Sequence, residues 1–214
     1  MYAPAHFRED RIAVLHQAIT ALSFGTLVTA GSQGLEASHL PMLIALAPAP
    51  LGTLRGHVAR ANPQWKNAPA GCKALATFVG PDAYITPSWY ATKAQTGKVV
   101  PTWNYLAVQV HGEISFFDDR TKLRAIVEDL TEFHEGQRPA PWAVSDAPED
   151  YIEKMLNAII GLELTIAQLE GSWKLSQNRT AQDSHGVREG LLRDGSPSQR
   201  AVADLMTATT KGKD

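Results

Sequence analysis

The spacing of apolar residues changes from helical to strand-like within the first fifty positions. In residues 10–22 the apolar positions recur every three to four residues, which predicts an amphipathic helix. Segments 24–30 and 35–46 are rich in strand-forming residues, and the turn residues 31–34 between them predict a β-hairpin. Pro41 lies inside the second segment and predicts a bulge or an edge position, because proline cannot donate to a β-ladder.

Beyond the hairpin, strands and helices are interspersed with short turns. The pattern predicts strands at 51–59, 74–79, 83–86, 103–117 and 161–171. It also predicts helices that begin after Asn62, at Asp119, near 149, at 180 and at 197. Strands joined mostly by short turns favour a mainly β, α+β protein built on an antiparallel barrel with peripheral helices. We expect a single domain over 1–214, with the helices of 180–208 packed on the barrel.

Composition limits the classes of partner. The formal net charge is −2 and the pI is about 6.4, so no strong positive field attracts nucleic acid or an anionic membrane. The single cysteine, Cys72, excludes an internal disulfide framework. No apolar run reaches the length of a bilayer span, and the first residues do not resemble a signal peptide. A cytoplasmic location without membrane partners is therefore expected.

Common cofactor and catalytic motifs do not occur. The sequence contains no dinucleotide-binding G-x-G-x-x-G after a strand, no P-loop and no G-x-S-x-G nucleophile elbow. His39, His57 and His111 fall in predicted strands, where neutral imidazoles bind metal or haem iron when strands bring them together. Local hydrogen bonding or a position at the barrel surface is the more common explanation of such histidines, and no metal site is expected.

The segment "GHVARANPQWK" (56–66) joins a strand to a predicted helix. Asn62 is a suitable cap, Pro63 suits the first helical turn, and Arg60 and Lys66 place cations beside it. Free backbone N–H groups together with two cations favour a phosphate site. The alternative is that Asn62 only caps, Trp65 only packs and both cations are solvated.

Four of the five tryptophans lie beside hydroxyl or amide residues. The contexts are "NPQW", "PSWY", "PTWNY" and "SWKLSQNR", which contain Trp65, Trp89, Trp103 and Trp173. Aromatic faces beside amides and a phosphate site are typical of a pocket for a phosphorylated aromatic cofactor. The two Pro-x-Trp pieces at 87–89 and 101–103 are accordingly interpreted as a wall of such a pocket.

Seven motifs in order resemble the PaiB family of FMN-binding negative transcriptional regulators, over roughly residues 1–206. They are "MYAPAHF", "FGTLVT", "ASHLPMLI", "GHVARANPQW", "GPDAYITPSWY", "VPTWNY" and "KLSQNR". The resemblance implies a split β-barrel like that of pyridoxamine-phosphate oxidase and a homodimer with FMN at the subunit interface. It also implies repression of genes for sporulation and secreted proteases. Asp82 departs from the family, in which histidine is frequent at this position.

The same resemblance implies a set of cofactor-binding residues. Ser38, His39, Leu40 and Pro41 would line the edge of the flavin ring. The stretch from His57 to Lys66, with Arg60, Asn62, Pro63 and Trp65, would hold the ribityl chain and phosphate. The remaining contacts would come from the partner subunit or the C-terminal segment, namely from Trp103, Asn104, Gln177, Asn178 and Arg179.

Three functions remain open, in the order regulator, oxidoreductase and haem protein. No acid–base pair stands out for an NAD(P)H:flavin reductase or an oxidase, but FMN itself carries the hydride in such enzymes. Direct DNA binding is not expected, because the second C-terminal helix offers only Arg200 among the side chains that would reach DNA. A homodimer that binds FMN and regulates genes indirectly is the leading expectation.

Overall fold

The computed structural model describes residues 1–211, without the side chains of Asp194 and of residues 209–211. Eight strands belong to one sheet. Their bounds are β1 Arg8–Glu9, β2 Phe24–Gly31, β3 Gly34–Pro41, β4 Leu43–Ala45, β5 Thr53–Ala59, β6 Cys72–Ile85, β7 Thr102–Phe117 and β8 Ile159–Lys174.

Seven α-helices and two short 3₁₀ turns connect the strands of the described chain. The helices are α1 Ile12–Leu22, α2 Gln64–Asn67, α3 Thr92–Thr96, α4 Arg120–Glu135, α5 Glu149–Asn157, α6 Ala181–Asp194 and α7 Pro197–Lys211. The longer helices were all predicted, whereas β1 and α3 were not. Asp119 caps α4 by accepting a hydrogen bond from Lys122 N at 2.9 Å, as its position before the apolar stripe indicated.

The sheet order is β3-β2-β6-β7-β8-β5-β4, with β1 paired to β8. Every pair with a defined register is antiparallel, including the predicted hairpin β2–β3. The first and last strands of this order, β3 and β4, are separated in sequence only by Met42, which is fully buried. The chain thus links the two ends of the sheet directly, as the strands of a split barrel require. Pro41 ends the edge strand β3, which confirms the predicted edge position.

Two strand predictions were wrong. The segment 35–46 was predicted as one strand and forms two, β3 and β4, on either side of Met42. The predicted strands at 74–79 and 83–86 form a single strand, β6, of 14 residues. Burial alternates regularly up to Phe78, and Ala83 and Ile85 continue the alternation with the opposite parity. The shift occurs at Gly80-Pro81, where proline lacks a ladder donor and glycine permits a bulge. Gly80 and Pro81 therefore do not end the strand. They change which alternate residues of β6 are buried.

The chain divides into two compact units, which are described separately. The barrel unit comprises Arg11–Phe78 and Gln109–Leu169, and the terminal unit comprises Met1–Asp10, Val79–Val108 and Glu170–Asp214. Strands β6, β7 and β8 contribute residues to both units. A single domain over 1–214 therefore stays a prediction, as does the packing of the C-terminal helices on the barrel.

Each unit has buried apolar clusters of its own. In the barrel unit, Leu123 of α4 packs with Val144, Ile152 and Leu156 around α5. In the terminal unit, α6 and α7 cover Ala83 and Ile85 of β6 together with Tyr90 and Leu175. Within residues 1–211 we find no helix with the length and apolar character needed to cross a bilayer.

Candidate functional site

In the barrel unit, the edge strand β3 meets the segment that precedes α2. The Nδ2 of Asn62 donates to Ser38 Oγ at 2.7 Å, while Asn62 Oδ1 accepts from Gln64 N at 3.0 Å. Asn62 therefore satisfies the first N–H of α2 and joins this helix to β3, although Pro63 is the residue directly before the helix. Two of the predicted cofactor-binding residues, Ser38 and Asn62, are in direct contact.

The other predicted residues of β3 differ in accessibility. Nδ1 of His39 lies 2.9 Å from Thr26 Oγ1 on the neighbouring strand, at an exposed position. Leu40 is buried in the core, and Pro41 is half-buried. In the described chain β3 pairs only with β2, so its backbone groups other than the Glu36 carbonyl, which accepts from Gln64 Nε2, could reach a ligand along the outer edge. His39 and the β3 backbone thus remain available, whereas the Leu40 side chain serves packing.

Arg60 is held by an acid that the sequence did not indicate as its partner. Its guanidinium donates to both carboxylate oxygens of Asp118, at 2.7 and 2.5 Å, and to the carbonyls of Asn157 and Ile159. Hydrogen bonding from Arg60 lowers the pKa of Asp118, and the nearby positive charge adds to the effect. A phosphate at Arg60 would first have to displace Asp118, so the predicted role of Arg60 loses support.

The helix predicted after Asn62 is also too short for its N-terminus to attract a phosphate strongly. Helix α2 has four residues, and its N–H at Gln64 is already bonded to Asn62. Pro63 is exposed, and Trp65 donates its indole N–H to the Arg60 carbonyl at 2.9 Å. Lys66 is exposed, with its ammonium 5.2 Å from the centroid of the Trp65 ring. Among the predicted phosphate ligands of this unit, Lys66 is the accessible cation.

His57 occupies a desolvated position on β5. Burial lowers the pKa of His57, and its Nδ1 is buried without a hydrogen-bond partner among the described residues. The lowered pKa favours the neutral imidazole. Its strand partner in β8 is Gly161, where a side chain would overlap the Phe117 ring.

Sequence reasoning missed the buried amide of Gln64. This side chain is 1% exposed, and its Nε2 donates to Leu27 O, Thr29 Oγ1 and Glu36 O, at 3.1 to 3.3 Å. It fixes α2 against the β2–β3 hairpin and thereby positions Asn62 and Lys66. The only signal was an amide beside a tryptophan in "NPQW", and that signal pointed equally to a ligand contact.

In the terminal unit, Asn104 and Ser176 form a buried reciprocal pair. Asn104 Nδ2 donates to Ser176 Oγ at 3.0 Å, and the Ser176 hydroxyl lies 3.2 Å from Asn104 Oδ1. The two side chains are 1% and 4% exposed, and Ser176 has a left-handed backbone with φ of 64°. Asn104 thus fixes the turn that leads to residues 177–179. Its burial favours a positioning role, and its contact with the cofactor stays a prediction.

The residues after Ser176 have different roles. Gln177 folds back on its own turn, accepting from Leu175 N at 2.7 Å and donating to the Trp173 carbonyl. Asn178 is exposed. The guanidinium carbon of Arg179 lies 4.6 Å from the centroid of the Tyr90 ring, which favours a cation–π interaction. Asn178 and Arg179 therefore remain candidates for ligand binding, whereas Gln177 is structural.

Buried groups hold the Arg179 region in place. Burial raises the pKa of Tyr90, whose hydroxyl has no hydrogen-bond partner by geometry among the described residues. Burial alone would also raise the pKa of Asp183, but hydrogen bonds from the Thr92 backbone and hydroxyl outweigh it and lower that pKa. The Asp183 carboxylate therefore stays ionised at neutral pH and ties the loop at 92 to the first turn of α6.

The two Pro-x-Trp pieces have different surroundings. Trp89 packs in the apolar cluster beneath α6, and a Cβ at Gly190 would lie 2.4 Å from its ring. Trp103 is 52% exposed and meets the 48% exposed Tyr84 edge-on, with ring centroids 5.9 Å apart. Trp103 therefore presents more of its surface to solvent than the half-buried Trp89, and the role of the two tryptophans as a pocket wall stays a prediction.

The accessible groups suit a phosphorylated aromatic ligand. The terminal unit offers an open aromatic face at Trp103 and a cation at Arg179, and the barrel unit offers the Ser38 hydroxyl, the β3 edge and Lys66. A planar ring with polar edges uses the aromatic face and the backbone groups, whereas a phosphate uses the cations. The terminal unit thus offers groups for a ring face and a phosphate, and the barrel unit offers groups for a polar ring edge and a phosphate.

Similarity to known proteins identifies the same family that the sequence motifs resemble. Residues 1–168 match the family described as "Putative FMN-binding domain". The chain is 32% identical to protease synthase and sporulation protein PAI 2 of Bacillus subtilis, over 96% of both chains. It is 37% identical to an uncharacterized protein of Aspergillus fumigatus, over 100% of this chain and 99% of the relative.

A solved structure supports the fold. The FAD and heme binding protein of Mycobacterium smegmatis superposes with a TM-score of 0.59 at 13% identity, over 88% of this chain and 80% of that one. Identity this low bears on the fold alone, and it agrees with the antiparallel split barrel. The cofactor follows from the family match rather than from this neighbour. The chain belongs to the PaiB family of FMN-binding proteins, and FMN is its cofactor.

Proposed function

We propose that this protein is a PaiB-type regulator that acts as a homodimer, with FMN held between two copies of the chain. The observation that carries the proposal is the exposed aromatic pair Trp103–Tyr84. The two exposed rings are in contact with each other, and contiguous exposed apolar surface, unlike single exposed residues, is typical of a ligand or partner site. Val79 of the same unit is 63% exposed and adds apolar area of its own.

Different residues of the chain would bind the ring face, the ring edge and the phosphate of the cofactor. Trp103 of one copy would contact a face of the flavin ring, and the β3 edge with Ser38 of the other copy would bind its polar rim. Lys66 or Arg179 would neutralise the phosphate. When bound, FMN supplies reversible two-electron or one-electron redox chemistry, which gives a regulator an input from the redox state of the cell.

The regulatory part of the proposal rests on relatedness to PAI 2, whose name refers to protease synthesis and sporulation. The net charge of −2 disfavours tight binding to DNA phosphates. We therefore propose regulation through a protein partner or a redox signal. A salt-sensitive gel shift of a specific promoter by the pure protein would replace this indirect route with direct binding.

The deciding experiment combines cofactor identification with a mass measurement. The protein is purified, heated to release its ligand, and the ligand is identified by absorption and mass, while sedimentation gives the mass of the loaded protein. We expect FMN and a particle of twice the 23.2 kDa chain mass. A loaded monomer would refute the shared site.

Two further measurements on the same purified protein distinguish the regulator from a flavin oxidoreductase and from a haem protein. Catalytic turnover of NAD(P)H by the loaded protein would replace the regulator with a flavin oxidoreductase. A Soret band in place of the flavin spectrum would indicate the haem alternative, with His39, His57 and His111 as the first ligands to substitute.

A further inference from the structure

A cavity lies between the two C-terminal helices, apart from the proposed flavin-binding residues. Its volume is about 280 Å³, close to the lower limit for small-molecule sites. It is lined by Ala181, Ser184, His185, Arg188, Met206 and Thr207. All six residues belong to α6 or α7 within the terminal unit.

The lining combines apolar walls with one permanent cation. Ala181 and Met206 supply apolar surface, Ser184 and Thr207 supply hydroxyl groups, and Arg188 supplies a guanidinium. Nε of Arg188 donates to Thr207 Oγ1 at 2.9 Å, which orients the guanidinium, and Nη1 lies 3.2 Å from Glu189 Oε1. No carboxylate lies among the described lining residues, but Glu189 outside the lining already pairs with Nη1 of Arg188, so an anionic ligand would have to share or displace that exposed and therefore weak ion pair.

One wall of this cavity is continuous with the Asn104–Ser176 pair. Met206 is 5% exposed, and its sulfur lies 3.8 Å from Asn104 Nδ2, the same atom that donates to Ser176. A ligand in the cavity would touch Met206 directly. Because packed side chains shift together, movement of Met206 would reach the turn that carries Arg179.

We propose that the cavity between α6 and α7 binds a small aliphatic carboxylate, and that its occupancy changes the affinity for FMN through Met206, Asn104 and Ser176. Arg188 binds the carboxylate and the apolar walls bind the alkyl chain. The second half of the proposal rests on the proposed function. Binding and regulation are therefore measured separately.

Binding is tested on flavin-free full-length protein by calorimetry with three probes of equal chain length. They are hexanoate, hexanol and hexylammonium. We expect hexanoate to bind with a Kd of about 1 mM and the other two at least tenfold more weakly. Equal binding of the three probes would overturn the assignment to carboxylates, and no binding of hexanoate at 20 times that concentration, about 20 mM, would overturn the site.

Three variants and a control locate the binding. Arg188→Gln should weaken hexanoate about tenfold or more, and Arg188→Lys should recover part of the loss. Ser184→Leu should fill the cavity and abolish binding while the cation remains. Arg193→Gln, on the same helix outside the cavity, is the matched control. Equal binding by Arg188→Gln and the control would overturn the role of Arg188.

Regulation is tested by titrating FMN with and without 10 mM hexanoate. We expect the FMN Kd to change at least threefold, and hexanoate affinity to change by the same factor when FMN is bound. The change should be absent in Arg188→Gln. Hexanoate binding with an unchanged FMN Kd would overturn the coupling alone, whereas failure of FMN to bind at all would overturn the proposed function.

Discussion

The indole of Trp89 lies directly against the backbone of α6 at Gly190. A Cβ built on Gly190 would be 2.4 Å from two atoms of the indole, and one on Gly186 would be 2.2 Å from the Trp89 carbonyl oxygen. Glycine at both positions allows the loop and the helix to approach each other. The "PSWY" motif therefore docks a helix, which explains why tryptophan and glycine occur in these two segments.

We expect Gly190→Ala to lower the free energy of unfolding by about 1 to 3 kcal/mol, because the added methyl group overlaps the ring. The sign is informative, since alanine in a helix interior normally stabilises by about 1 kcal/mol relative to glycine. Urea denaturation of Gly190→Ala in wild-type and Trp89→Ala backgrounds measures the coupling. A stabilising effect in the wild-type background would contradict the contact.

The elements that the sequence predicted well depend on local signals. Helix α4 begins after the capping Asp119, and its apolar stripe buries Leu123, Ile126 and Leu130. The hairpin β2–β3 follows from two strand-like runs around a short turn. The bulge in β6 escaped prediction because Gly80-Pro81 normally ends a strand, and only pairing with neighbouring strands holds it in the sheet.

The site could be predicted only in part, because its decisive contacts join distant segments. Asp118 lies 58 residues from Arg60, and nothing near either residue indicates the ion pair. Trp89 and Trp103 have nearly identical local sequences, yet α6 covers the first and the second stays exposed. Local motifs gave the residue types of a cofactor site, and tertiary packing decided which of them a ligand can reach.

Substitution of Asn104 should separate a structural role from a binding role. Asn104→Ala leaves the Ser176 hydroxyl without its partner and opens a small cavity, so we expect a loss of about 2 to 4 kcal/mol in unfolding free energy. The exposed Asn178→Ala is the matched control and should change stability by less than about 0.5 kcal/mol. Equal stability of the two variants would refute the buried pair.

The Arg60–Asp118 pair should make the stability of the folded protein depend on pH in the acidic range. Because the pKa of Asp118 is lower in the folded protein than in the unfolded chain, its contribution is complete at neutral pH. It declines as the pH falls below the ordinary carboxylate pKa and is lost below the lowered pKa. Melting temperatures of wild type and Asp118→Asn should therefore differ at pH 7 and converge near pH 2. A difference independent of pH would refute the ionic origin.

His57 should affect the stability of the folded protein at a higher pH than the Arg60–Asp118 pair does. Its pKa is lowered by burial, so the unfolded chain binds a proton at a higher pH than the folded protein. Stability is therefore lost as the pH falls through about 6.5, the ordinary histidine pKa. His57→Gln should show a shallower loss of melting temperature than wild type between pH 7.5 and 5.5. Identical slopes would show that His57 does not remain neutral.

Trp103 is the residue whose loss should most directly affect FMN. If its exposed ring covers one face of the flavin, Trp103→Ala should weaken FMN binding about tenfold, while Trp103→Phe should recover part of the affinity. Flavin fluorescence titration measures both. Trp142 is 46% exposed outside the proposed cofactor residues, so Trp142→Ala is the matched control. Stability should change little in either alanine variant, because both rings are about half exposed. Equal FMN affinity of Trp103→Ala and Trp142→Ala would place the flavin elsewhere, and the β3 edge with Lys66 would then be the next surface to test.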